Sequence, residues 1–120
     1  MQVELRRKLL LMYLKRILEK TFPGVSAAAR LQQIGLFTLI YALQDEEEPV
    51  TAARLAKMTE LSDGQVLTHL RRLMEIELIE RTQIKNKQGR GRAYKLTIKD
   101  TKETKRLLRA INKTGADRKS

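Results

Sequence analysis

Two helix starts stand eleven residues apart, at Thr51 and Ser62. That interval has room for a short helix, a tight turn and little else. Thr51 carries the kind of short hydroxyl side chain that accepts from the free N–H groups of a first turn, so residues 52–58 read as a helix with Leu55 and Ala56 inward. Ser62 repeats the signal, and Gln65 three residues later completes a Ser-x-x-Gln capping box. The second helix therefore runs from Ser62 to about Glu75 or Ile76, and Thr59-Glu60-Leu61 is the whole connection. Two helices joined this closely form a helix-turn-helix.

The second helix has two unlike sides. At about 100° per residue, Val66, Leu67, Leu70, Leu73 and Met74 gather on one side and Gln65, Thr68 and Arg72 on the other. His69 and Arg71 flank the outer face. An amide, a hydroxyl, an imidazole and guanidinium groups are the chemistry that reads base edges in a major groove, Gln suiting adenine and Arg suiting guanine. The helix start, Ser62-Asp63-Gly64, has free backbone N–H groups for a phosphate, although Asp63 opposes an anion there.

Immediately after this helix, residues 78–84 and 92–98 are short and enriched in β-branched and aromatic residues, which predicts two strands. The link Lys85-Asn86-Lys87-Gln88-Gly89-Arg90-Gly91, with two glycines and an asparagine, makes them a hairpin with a long tip. Charge is concentrated here. The chain carries +11 overall, but residues 1–60 hold 9 basic and 7 acidic side chains whereas residues 61–120 hold 16 and 7. Between Arg81 and Lys99 lie seven basic residues and no acidic one. A polyanion is the partner such a surface selects, and a cationic hairpin beside a groove-sized helix reaches the adjacent minor groove or its phosphates.

The flanking segments read as helices. Residues 2–22 have apolar side chains around more than half the circumference, ending at Pro23-Gly24, so one side suits the core and another a partner. Ser26 caps a second helix patterned on Leu31, Ile34, Leu36, Phe37, Leu39, Ile40 and Leu43. Asp45-Glu46-Glu47-Glu48-Pro49 is a polar turn that sets negative charge near the next helix start. Asp100 or Thr101 caps a last helix with Leu107, Leu108 and Ile111 on one face, and residues 112–120 form a basic tail. The expected organisation is an N-terminal helix with a side for a partner (1–24), a DNA-binding domain (25–99), and a C-terminal helix with tail (100–120).

Composition narrows the chemistry. With no cysteine and one histidine, the chain has no thiolate and too few imidazoles for a histidine-based metal site. No nucleophile and base pair is placed to work together, so the expectation is no enzyme, no metal and no cofactor. The longest apolar run near the start, residues 9–14, is far short of the roughly 20 residues needed to span a membrane, and no cleavage signal follows. A cytoplasmic protein without a membrane partner is expected.

Residues from about Leu31 to Leu108 resemble the winged helix-turn-helix domain of MarR-type transcriptional regulators. The resemblance rests on Val50-Thr51-Ala52-Ala53-Arg54-Leu55-Ala56, on Leu61-Ser62 leading to Val66, on His69-Leu70-Arg71-Arg72-Leu73-Met74-Glu75-Ile76-Glu77-Leu78-Ile79, and on the wing, Gly89-Arg90-Gly91-Arg92-Ala93-Tyr94-Lys95-Leu96-Thr97. It implies an α+β, mostly helical fold in which the second paired helix enters the major groove, a wing arginine enters the minor groove, and terminal helices build a homodimer. Carried over by position, Ser62, Gln65, Thr68, His69 and Arg72 become groove-facing candidates on helix 62–76, and Arg90 and Arg92 become wing-tip candidates on wing 85–92; Arg71, from its place beside the outer face, and Lys87, from the charge of the hairpin tip, complete the DNA-binding set. The family's wing commonly has Asp-x-Arg; this chain has Gly-Arg-Gly-Arg, so either arginine can be its counterpart. Only about twenty residues follow Thr97, which shifts dimerisation mainly onto helix 2–22. The expected function is sequence-specific binding of double-stranded DNA by a homodimeric regulator, a repressor. The competing readings are a winged helix that docks on protein within a replication or partition machine, and an RNA binder, which five aromatic residues serve poorly.

Overall fold

A computed structural model describes residues 2–20, 23–85 and 92–99, together with Arg106 and Arg109. They fall into two compact units, residues 21–99 and residues 1–20 with 100–120. In the latter, α1 (Gln2–Glu19) stops short of the expected residue 22. Leu9, Tyr13 and Ile17 recur every four residues along α1 and are buried, while Leu11 and Leu18, seven apart, are each 49% exposed. The wide apolar stripe thus has a covered and an open side. The expected C-terminal helix lies outside the described residues except for Arg106 and Arg109, which are helical and exposed.

The second unit begins with α2 (Ala27–Leu43), which starts where Ser26 predicts: the Ser26 hydroxyl accepts from the Ala29 N–H at 3.1 Å. Gln33, Leu36, Phe37 and Ile40 form its buried face. Leu31, which shares the apolar pattern, instead points outward and is 68% exposed. The buried stripe starts two residues later, at Gln33, because the spacing of apolar residues alone does not say which end of the helix is covered.

The acidic turn that follows clamps one arginine. Arg54 donates from Nη1 to the Glu48 carbonyl at 2.9 Å and from Nη2 to Glu46 Oε1 at 3.1 Å. This draws the turn onto α3 (Ala52–Thr59), whose first turn is capped by the Thr51 hydroxyl accepting from the Arg54 N–H at 3.1 Å. Glu60 ends α3 in the left-handed region, with φ 62°, and donates its N–H to the Ala56 carbonyl. One left-handed residue reverses the chain fast enough for α4 (Asp63–Glu75) to begin three residues later.

Both ends of α4 are fixed by local bonds. At the start, the Ser62 hydroxyl accepts from the Gln65 N–H at 3.1 Å and Gln65 Oε1 accepts from the Ser62 N–H at 3.0 Å, the reciprocal box read from the sequence. At the end, Glu77 turns left-handed, its N–H reaching the Met74 carbonyl and the Leu78 N–H reaching the Leu73 carbonyl. That is the Schellman arrangement, and its usual apolar contact is supplied by Leu73 and Leu78, both buried.

Leu78 feeds directly into β1 (Ile79–Lys85), which pairs antiparallel with β2 (Arg92–Ile98) in a register running from Ile79 opposite Ile98 to Lys85 opposite Arg92. The hairpin is tied back at its base: the Leu96 N–H donates to the Val50 carbonyl at 2.8 Å and the Ile98 N–H to Gln44 Oε1 at 3.0 Å. A two-stranded sheet is marginal alone, so these bonds and the burial of Ile79 and Leu96 hold it to the helices. Phe37, Ile40, Leu55, Val66, Leu73 and Leu78 make the centre of the core, each worth roughly 1.5–3 kcal/mol of burial. This is the expected helix-turn-helix followed by a hairpin.

Ser62→Ala is expected to cost about 1 kcal/mol of stability and Ser62→Gly only a few tenths of that unit, read as shifts of a urea unfolding midpoint. Equal losses for the two would mean that the hydroxyl contributes little to holding the helix start.

Candidate nucleic-acid interface

α4 packs against α2 and α3 through Val66, His69, Leu70 and Leu73. Four inward positions on a helix of 13 residues determine which side faces out. Outward lie Gly64, Gln65, Thr68, Arg71 and Glu75, all exposed, with Arg72 half-buried at one edge. Ser62 is exposed at the helix start. The structure therefore leaves Gln65, Thr68 and Arg71 on the open part of α4, with Arg72 at its edge and Ser62 exposed at its start.

His69 is not among them. It is only 4% exposed, and its Nε2 stands 2.8 Å from Gln32 Oε1 on α2. The groove-facing placement is corrected accordingly: α2 covers that flank of α4, and an imidazole there serves as a tether between helices. With Gln32 Oε1 as acceptor, Nε2 carries the proton, leaving Nδ1 as a buried nitrogen without a hydrogen-bond partner among the described residues. Burial, and then the neighbouring Arg72 guanidinium, hold the His69 pKa below its ordinary value of 6.5.

Two further outward side chains carry bonds that limit their chemistry. A bidentate contact to adenine uses both the oxygen and the nitrogen of a glutamine amide; Gln65 Oε1 already accepts from the Ser62 N–H, which directs the amide toward the helix start and leaves one lone pair of that oxygen and the Nε2 group for a partner. Thr68 Oγ1 donates to the Gly64 carbonyl at 2.8 Å, which leaves its lone pairs and its methyl group for a partner. Arg71, assigned only a flanking place by the helical projection, stands further out than Arg72.

Beside α4 the chain forms a groove of about 800 Å3 whose walls include Ala52 from α3, Leu67 and Arg71 from α4, and Arg81, Lys85 and Tyr94 from the hairpin. Three cationic side chains from two elements thus share one concavity. The Arg81 guanidinium lies 4.5 Å from the Tyr94 ring centroid, a cation–π contact that makes Tyr94 a platform for arginine within the hairpin. Arg81 and Lys85 belong to the basic stretch but not to the site expected from the sequence; their even spacing along one strand is the signal that places them on one face. Leu67, expected among the inward residues, is 52% exposed at the edge of this groove. Lys87 and Arg90 lie outside the described residues, and Arg92 is placed only by its backbone, as the first residue of β2.

Among the described residues, no three acidic or histidine side chains converge to hold a metal ion. No described helix is long and apolar enough to cross a membrane.

Residues 36–99 match the family model of the winged helix DNA-binding domain. This is more than half of the chain, and the chain belongs to that family. Among solved structures, similarity extends to a possible transcriptional regulator from Methanosarcina mazei Go1, at 18% identity over 93% of this chain and 80% of that one, with a TM-score of 0.49. MarR is similar at 22% identity over 97% and 71%, with a TM-score of 0.47. Streptococcus pneumoniae FabT, solved in complex with DNA, is similar at 19% identity over 97% and 74%, with a TM-score of 0.46. No curated protein matches the chain.

The depressed His69 pKa has a definite consequence for stability. The unfolded chain takes up a proton near pH 6.5 and the folded chain only at lower pH, so the contribution is complete above 6.5 and is lost as pH falls below it. His69→Gln should flatten the fall of the urea midpoint below that pH. An unchanged slope would mean that His69 is not held neutral by the fold.

Proposed function

We propose that this chain is a sequence-specific, double-stranded DNA-binding transcriptional regulator of the MarR-like kind, acting as a homodimeric repressor. The observation that carries the reading is the outward face of α4, with Thr68, Arg71 and Arg72, beside a groove to which the hairpin adds Arg81 and Lys85. α4 is the element for the major groove, where Arg71 is suited to the O6 and N7 of guanine. The hairpin, continuing into Lys87, Arg90 and Arg92, serves the adjacent minor groove or backbone. Repression follows from occupying duplex DNA that polymerase would otherwise use.

The open side of α1 supports the dimer. Leu11 and Leu18 lie two turns apart on one side of a helix, the spacing at which two copies can bury a shared seam. Two-fold symmetry then sets the two α4 helices about one turn of DNA apart, ~34 Å, and the site they read is an imperfect palindrome.

Selection of bound fragments from random duplex DNA should enrich such a palindrome. On that operator, Arg71→Ala is expected to change preference at one position per half-site by roughly 1–3 kcal/mol. Lys85→Ala should weaken specific and random DNA alike and reduce the slope of log affinity against log salt by about one per site. Equal loss on operator and random DNA for Arg71→Ala would count against base reading. A stoichiometric protein partner recovered with no enriched duplex would favour the protein-docking alternative.

Sedimentation of the Leu11→Glu, Leu18→Glu double variant should show a monomer with unchanged helix content where the parent chain is a dimer. A dimer that survives both charges would move the seam elsewhere.

A further inference from the structure

Leu67 is out of keeping with its surroundings. It projects from the open side of a helix whose neighbouring outward residues are polar, and over half of it is left to solvent at 52% exposed. One turn earlier, Gly64 lies on the same side of α4, and a methyl group built on it would meet no neighbouring side chain within 4 Å. Thr68 completes the set. Its hydroxyl proton is given to the Gly64 carbonyl at 2.8 Å, which holds the side chain of an exposed residue in place and leaves the methyl group as its apolar part. Gly64 is thus an open floor, and Leu67 and Thr68 stand one turn along as apolar walls about 5–6 Å from it. Arg71 follows one turn further on.

We propose that Gly64, Leu67 and Thr68 receive the 5-methyl group of a thymine in the major groove, making Leu67 a specificity-determining residue. The inference rests on the reading of α4 as the major-groove element and deepens it. Thymine is the one base that presents a methyl group in that groove, and apolar contact is how it is told from cytosine. Charge brings the duplex to this surface, since Arg71 shares the face and Arg81 and Lys85 line the groove on whose edge Leu67 stands. The contact gives an apolar partner to a leucine that water otherwise covers. A glycine at position 64 lets the base edge approach closely, and alanine there would fill the floor without meeting a neighbour in the free protein.

The test uses duplex libraries of random sequence prepared with thymine or, in a parallel pool, with uracil, which lacks only the methyl group. An operator enriched from the thymine pool is then remade with single uracil substitutions. One thymine per half-site should, on replacement, weaken binding of the parent chain about fourfold, the value of burying one methyl group. Leu67→Ala should bind thymine and uracil operators equally, at about the affinity of the parent chain for the uracil form. Gly64→Ala should lose the same discrimination with its circular dichroism unchanged. Uracil tolerated at every position, or full discrimination kept by Leu67→Ala, overturns the assignment while leaving base reading by α4 intact. No enrichment from the thymine pool overturns base reading itself and this assignment with it.

Discussion

The inward face of α4 is the constraint on which the remainder depends. Val66, Leu70 and Leu73 fill the space against α2 and α3, and the His69–Gln32 contact adds a directional bond to packing that is otherwise directionless. A helix of 13 residues is marginal in water by itself, so its orientation comes from this seating. A slip of one residue would rotate the helix by about 100° and carry Thr68 and Arg71 off the open side. The same seating fixes the hairpin, because the left-handed Glu77 and the Leu78 to Leu73 bond set the direction in which β1 leaves α4. The outward face and the cationic strand are therefore positioned by one packed ridge.

Much of this architecture was legible in the sequence because it is governed by local chemistry. Ser26, Thr51 and Ser62 each cap the helix they were expected to cap, since a short side-chain oxygen and free N–H groups need only each other. The second strand was located correctly from its composition, and the first lies one residue further along than expected, at Ile79–Lys85. The displacement has a local cause: Leu78 is used to close α4 before the strand begins.

What escaped the sequence depends on which neighbour covers which flank. Periodicity divides a helix into an apolar and a polar side, but it does not say how far a packed neighbour extends over the border. On α4 the border moved at both edges: α2 covers His69, and the groove leaves Leu67 open. Gln65 shows a different limit. The same side chain suits both a capping box and a base-reading amide, and in the free protein the local bond to the Ser62 N–H sets where its oxygen points. Arg81 and Lys85 joined the site only once the fold had folded their strand alongside α4.

Backbone amide chemical shifts of the isotopically labelled full chain, followed as its selected operator duplex is added, test the central claim most directly. The account requires the largest changes at Gly64, Thr68, Arg71 and the hairpin residues Arg81 to Lys85, with α1 and the outward residues of α2 far less affected. Changes centred on α1 or around Leu31 of α2, with the amides of α4 unmoved, would contradict it.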